Sequence, residues 1–330
     1  MIFPWLAGLL RPSKAPVTYL LLFLNVLVFL GTYQSFNSAD AQLDAFLDDD
    51  AFIQTQGSAF AVMIGREPQV FSASLRALAA RASHADTTAK RTLGGFALRN
   101  TEFMSRAETY SFGGDEVAIG RWRMRLLEFV KIQDANPSFM WGLSEKHNDW
   151  LHYFTYQFAH AGFGHLFWNM LFMLIFGCFI ETRMGASFVA LSYVGGGLVG
   201  ALVFSKLSGV SFSPLVGASG SVSGMIGLVA FGWWKRERLR YFYFLLPSPD
   251  YMGVAFLPSW LLAVVFLIPD LSSYLSSTRE LGSVAYTAHI GGASLGALMA
   301  VAYWRGWLVN EVETSKPDDS HNSNDVRKAS

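Results

Sequence analysis

Hydrophobic positions gather into long runs separated by polar stretches. The first, Val17–Tyr33, is apolar on nearly every face and about long enough to cross a bilayer as a helix. No small-x-small cleavage site follows it closely, so it reads as a retained helix rather than a signal peptide. Further runs lie at about 164–181, 186–205, 218–234, 252–269 and 285–304, which predicts six membrane spans. Between the first and second, residues 34–150 change character. Asp40, Asp44 and Asp48–Asp50 open a stretch of scattered charge with no apolar run long enough to span. Helical spacing is visible there over 70–82 and 118–132, so this insert is expected to be helical. Arg121, Arg123 and Arg125 read as a solvated or headgroup-facing edge. The pattern divides the chain into an N-terminal segment 1–16, a first span 17–33, an insert 34–150, a core 151–306 with five spans, and a polar tail 307–330 expected to be disordered. The fold class that follows is all-α: a polytopic bundle of six helices with a helical insert between the first two.

Composition agrees with a bilayer environment. Of 330 residues 52% are hydrophobic and 15% charged, where soluble chains carry about a quarter charged residues. The formal net charge is zero and no basic stripe with interleaved aromatics occurs, so nucleic acid is not an expected partner. The one cysteine, Cys178, lies inside an apolar run and reads as helix filler. No CxxC, HExxH or Asp-rich loop points to a metal, and no cofactor is expected. Charge also orients the chain. Arg11, Lys14, Arg183, Lys235, Arg236, Arg238, Arg240 and Arg305 fall on one side of the predicted spans, against Lys206 and Arg279 on the other. The positive side faces the cytoplasm, which predicts both termini inside and the insert outside. The N-terminus lacks an Arg- and Ser-rich organellar presequence, so a bacterial inner membrane is expected.

Candidate chemistry sits where polar groups interrupt the apolar runs. Ser219, in Gly217-Ala-Ser-Gly220 at the mouth of a predicted span, reads either as a nucleophile or as small-residue helix packing. Depth bears on the choice. Ser219 is sixteen residues before Lys235 and His289 sixteen before Arg305, so both lie about 24 Å above the inner surface of a ~30 Å core. Asn169 is fourteen residues before Arg183, and His165 shares its face at i, i+4. His160 and His165, five apart, do not form a one-face metal pair. Gly220 and Gly224 follow Ser219, and Gly292 and Gly296 follow His289, as smooth stripes that permit close helix approach. Four polar groups at one depth on three inward-running helices suggest a shared site. A transporter site would be expected near the midplane with charged partners, and no buried Asp, Glu, Lys or Arg is read at this level.

His160-Ala-Gly-Phe-Gly-His165-Leu-Phe-Trp-Asn169, Glu181-Thr-Arg-Met-Gly185, Gly217-Ala-Ser-Gly220 and Ala288-His-Ile-Gly-Gly292 together resemble the rhomboid intramembrane serine proteases, in order and in topology. The resemblance covers about 150–305 plus the first span. It implies that Ser219 is the nucleophile and His289 the base of a dyad without a carboxylate. It implies an oxyanion hole of His165, Asn169 and the Ser219 backbone N–H. His160 then supports the loop after the first span, and Glu181 with Arg183 ties the inner end of the second span to its neighbours. Residues 270–283 match the loop that caps the site from outside. The implied partners are transmembrane protein substrates within the lipid bilayer. An inactive member that binds membrane proteins without cutting them is the alternative, but it should lack the serine or the histidine. Two positions depart from the family pattern: His152 stands where an arginine is expected, and Ser223 where some members carry an aromatic.

Overall fold

The computed structural model describes residues 2–4, 12–84, 86–207, 214–233, 238–244, 252–276 and 286–307. The tail 308–330 and the charged residues Arg11, Lys235, Arg236 and Arg279 lie outside the described residues.

Helix α1, Pro16–Asp48, is 33 residues long. Proline suits its first turn, where backbone N–H groups have no helical acceptor. Glu181 supplies the missing acceptor: its carboxylate takes the N–H of Val17 and Thr18 (2.8 Å each) and the Thr18 hydroxyl (2.7 Å). The helix does not stop at Tyr33 but runs on past the predicted span to Asp48, so that its last turns pack in the insert.

The insert folds as helices α2 (Asp50–Arg66), α3 (Ala73–Ser83), α4 (Thr87–Ala97), α5 (Thr101–Arg106) and α6 (Glu116–Ala135). Each begins on a side-chain cap, from Asp49, Ser72, Asp86, Asn100 and Asp115 in turn, which explains why short helices of mixed polarity hold their boundaries. Their apolar faces close on Phe46 of α1, Phe52, Phe60, Phe103, Trp122 and Phe129. Two of the three arginines expected at a surface edge also bind this domain together. Arg123 donates to the Ala107 and Tyr110 carbonyls, and Arg125 pairs with Asp49 and Glu128 while lying over the Phe46 ring. Arg121 stays exposed.

Short helices α7 (Pro137–Trp141) and α8 (Trp150–Thr155) lead into the bundle. There α9 spans Phe163–Met184. Helices α10 (Ala186–Ala190) and α11 (Gly196–Leu207) are joined through a π-turn at Leu191–Gly195. They are followed by α12 (Ser219–Gly232), α13 (Ile268–Ser276) and α14 (Tyr286–Trp304). Among the described residues three helical stretches, Pro16–Asp48, Phe163–Met184 and Ala186–Leu207, have the length and apolar composition to cross a membrane. The protein is a mostly helical membrane protein. Its bundle core, with Met173, Phe176, Tyr193, Met225 and Leu228 fully buried, is separate from the insert core.

The expected fifth span, 252–269, is corrected. Met252–Pro258 is a strand, β3, paired antiparallel with β2 (Arg238–Phe244), which in turn pairs with β1 (Ile2–Pro4). Gly253 and Pro258 are poor in a helix interior, while Val254 and Phe256 suit an extended chain, so the apolar run splits. Only its second half is helical, through a π-turn at Ala263–Leu267 into α13. This small sheet also departs from an all-α fold.

Candidate active site

Ser219 opens α12, and nothing caps that helix from its own side chains. The N–H groups of a first helical turn lack intrahelical acceptors, so the N–H beside the Ser219 hydroxyl points out of the helix end. The loop before it is held from one side only. Leu143 and Leu215 exchange two backbone hydrogen bonds (3.0 and 2.8 Å), the Gly217 N–H donates to the Tyr156 carbonyl (2.8 Å), and the Ala218 N–H reaches His160 Nε2 (3.5 Å). Gly217 takes φ +109°, a left-handed conformation that disfavours any side chain, and a Cβ there would run into the His165 ring.

His289 lies in the first turn of α14. Its Nε2 is 2.9 Å from Ser219 Oγ, both residues half-buried. Glycine brings the two helices close enough. A Cβ on Gly292 would collide with the Gly220 carbonyl, and one on Gly296 with the Gly224 carbonyl. The far ends are tied by Trp304, whose Nε1 donates to the Gly232 carbonyl at 2.9 Å, so α12 and α14 run parallel with their N-termini together.

His165 and Asn169 come from the first two turns of α9. Their placement against Gly217 puts both beside the loop that delivers Ser219. Asn169 is buried and its Nδ2 donates to the His165 carbonyl at 3.0 Å, which leaves its second N–H for another acceptor. The His160 ring meets the His165 ring edge-on at 5.3 Å. Gly220 packs against the Tyr156 hydroxyl, which donates to the Gly197 carbonyl (2.7 Å). Glu181 and Arg183 sit at the opposite end of α9, where Glu181 anchors α1 and Arg183 lies 4.8 Å over the Phe179 ring. They are not part of the site. Among the described residues no group of three or more His, Cys, Asp or Glu could hold a metal.

One contact lies outside the expected serine–histidine pair. His289 Nδ1 is 2.9 Å from Asp270 Oδ2, and these side chains are only 21% and 17% exposed. The resemblance implies an outer loop for Asp270. It lies instead in the first turn of α13, and residues 270–276 of that segment are helical. The remainder, 277–283, lies outside the described residues. The signal that could have found it is an acidic residue following Pro269 at the outer end of an apolar run.

The Rhomboid domain family matches residues 147–306, which contain every one of these groups. The chain belongs to the rhomboid family. It is 30% identical over 160 residues to rhomboid protein 1, mitochondrial, of Saccharomyces cerevisiae, a match over 47% of this chain and 40% of that protein. It is 30% identical over 188 residues to rhomboid-like protein 11, chloroplastic, of Arabidopsis thaliana, covering 55% and 58%. Human rhomboid-related protein 3 is 38% identical over 74 residues, 22% of this chain and 18% of that protein. The chain thus aligns with about half the length of the first two relatives, and the insert before residue 147 falls outside the rhomboid domain. Within that domain His152, at the position where the family favours arginine, anchors its own segment. Its Nδ1 meets Asp149 Oδ2 at 2.9 Å, its Nε2 meets the Met140 carbonyl at 3.2 Å, and its ring stacks on His147.

Proposed function

We propose that the protein is an intramembrane serine endopeptidase. It cleaves transmembrane segments of membrane proteins near the outer face of the bilayer. The observation that carries this reading is the 2.9 Å contact between Ser219 Oγ and His289 Nε2 at an uncapped helix start inside a rhomboid domain. Ser219 Oγ attacks the scissile carbonyl while its proton passes to His289 Nε2. The tetrahedral oxyanion is met by the Ser219 backbone N–H with His165 and Asn169. His289 then gives its proton to the leaving amine, and the acyl-enzyme is hydrolysed by a water that His289 deprotonates. No step requires a cofactor.

A transmembrane helix hides its carbonyls in its own hydrogen bonds, so substrates are those whose helix is locally weak. The proposed orientation has both termini cytoplasmic and the insert outside, in a bacterial inner membrane. Two contacts support a common end for the inner segments. Residues 2–4 pair with 238–244, and Glu181 holds the start of α1.

A fluorophosphonate probe tests the reading on the full-length protein in micelles. Labelling at Ser219 is expected, lost in Ser219→Ala, together with cleavage of a model transmembrane substrate that Ser219→Ala and His289→Ala abolish. Inserted, folded protein that takes no probe and cuts nothing would leave the binding-only alternative.

A further inference from the structure

The serine–histidine mechanism makes no use of the Asp270 carboxylate, yet α13 carries it to the far side of the reacting imidazole. We propose that Asp270 is the positioning residue of His289, so that this rhomboid works as a serine–histidine–aspartate triad, an inference that rests on the protease reading.

The geometry leaves little choice of tautomer. An ionised carboxylate only accepts hydrogen bonds, so the 2.9 Å contact at Nδ1 requires the proton on that nitrogen. Nε2 then carries the lone pair, aimed at the Ser219 hydroxyl 2.9 Å away. With the proton on Nε2 instead, the ring would have no lone pair to take the serine proton. When Oγ attacks, its proton moves to Nε2 and the imidazolium forms between two acceptors, with Asp270 still ionised and still accepting from Nδ1. Since the pair is mostly shielded from solvent, the carboxylate stabilises that cation more than a surface group would. Asp270 also fixes the ring's rotation, because α13 packs against α14 and the contact pins one edge of the imidazole.

Among the described residues around His289, α12 contributes the Ser219 hydroxyl, α13 contributes Asp270 with Tyr274 a turn beyond, and α9 contributes His165, near enough to interact electrostatically with His289. Lys206 stands exposed at the end of α11, and Tyr193 of the π-turn is bonded to Asn25. Asp270 is the one acidic group among these.

The test is the rate of fluorophosphonate labelling of Ser219 against pH in the full-length protein, with the thermal transition measured alongside. Asp270→Asn keeps the shape but removes the charge and offers Nδ1 a donor, which favours the wrong tautomer. The plateau rate is expected to fall by about 10²-fold. The acid limb should differ from that of the wild type, since the imidazolium formed in the step has lost its anionic partner. Asp270→Glu should recover part of the rate and restore the limb. Should Asp270→Asn lose its thermal transition, Asp270→Ser gives the same comparison. A folded Asp270→Asn protein with the wild-type plateau and acid limb overturns the proposal and leaves the protease reading intact. Wild-type protein unlabelled at Ser219 overturns both.

Discussion

At the scale of single residues, the site depends on backbone groups being occupied on one side of Ser219 and free on the other. Leu215, Gly217 and Ala218 all donate their N–H groups to residues between 143 and 160, which fixes the loop and leaves the Ser219 N–H as the open donor. Asn169 is the side chain best able to add to it, because one of its two N–H bonds is committed to His165 and the other is not. Asn169→Ala is expected to lower kcat by about 10²-fold with KM little changed, the pattern of a donor used only in the transition state. Steady-state cleavage of a model substrate checks this, and unchanged kinetics would remove Asn169 from the oxyanion hole. The polar groups of this site were legible as positions: depth counting placed Ser219, His289, His165 and Asn169 at one level. Their distances were not, because helix rotation and tilt leave no trace in spacing. Asp270 escaped because an acid at the end of an apolar run is read as the first residue of a loop, and only tertiary packing turned it inward.

At the scale of elements, long apolar runs located α9, α12 and α14 to within a few residues, the run 186–205 covers α10 through α11, and of α1 only the start was found, since a helix in lipid must satisfy its own backbone but need not end where the lipid does. The same criterion failed at 252–258, where a continuous apolar run carries no information about strand or helix. The insert helices over 70–82 and 118–132 were legible from their spacing and appear as Ala73–Ser83 and Glu116–Ala135. The helix-to-helix distance that the site needs rests on glycine. A methyl group at Gly292 would fall on the carbonyls of Gly220 and Gly196, backbone that cannot move aside. Gly292→Ala is therefore expected to cost about 1–3 kcal/mol of stability by overpacking. It should also slow labelling of Ser219, because α14 carries His289 as it shifts. Gly31→Ala on α1, where a Cβ meets nothing within 4 Å, is the matched control and should leave both quantities unchanged. Equal behaviour of the two variants in thermal unfolding and probe kinetics would show that the glycine contact does not set the site.

At the scale of the whole molecule, α1 belongs to two cores: Leu21 packs in the bundle and Phe46 in the insert, about 37 Å apart along one helix. Among the described residues no apolar side chain belongs to both cores, so the insert should open as its own cooperative unit. Acid provides a selective way to open it. Asp49 is held below the usual carboxylate range by the Phe52 N–H it caps, Glu67 by the Arg106 guanidinium, and Asp86 by the Ala89 N–H. A carboxyl depressed in the folded state contributes stability in full above its unfolded value, about 4, and loses it as pH falls through the folded value. Lowering the pH from about 7 towards 3 is thus expected to reduce protection, measured against the intrinsic exchange rate at each pH, across α2–α6 together. Arg106→Gln, which frees Glu67, should shrink the part of that change due to this pair, because the carboxyl then titrates nearer its unfolded value. Hydrogen exchange read by mass spectrometry distinguishes the outcomes. Should α2–α6 and α12–α14 lose protection in step as the pH drops, the two cores form a single unit and the long first helix transmits unfolding rather than separating it.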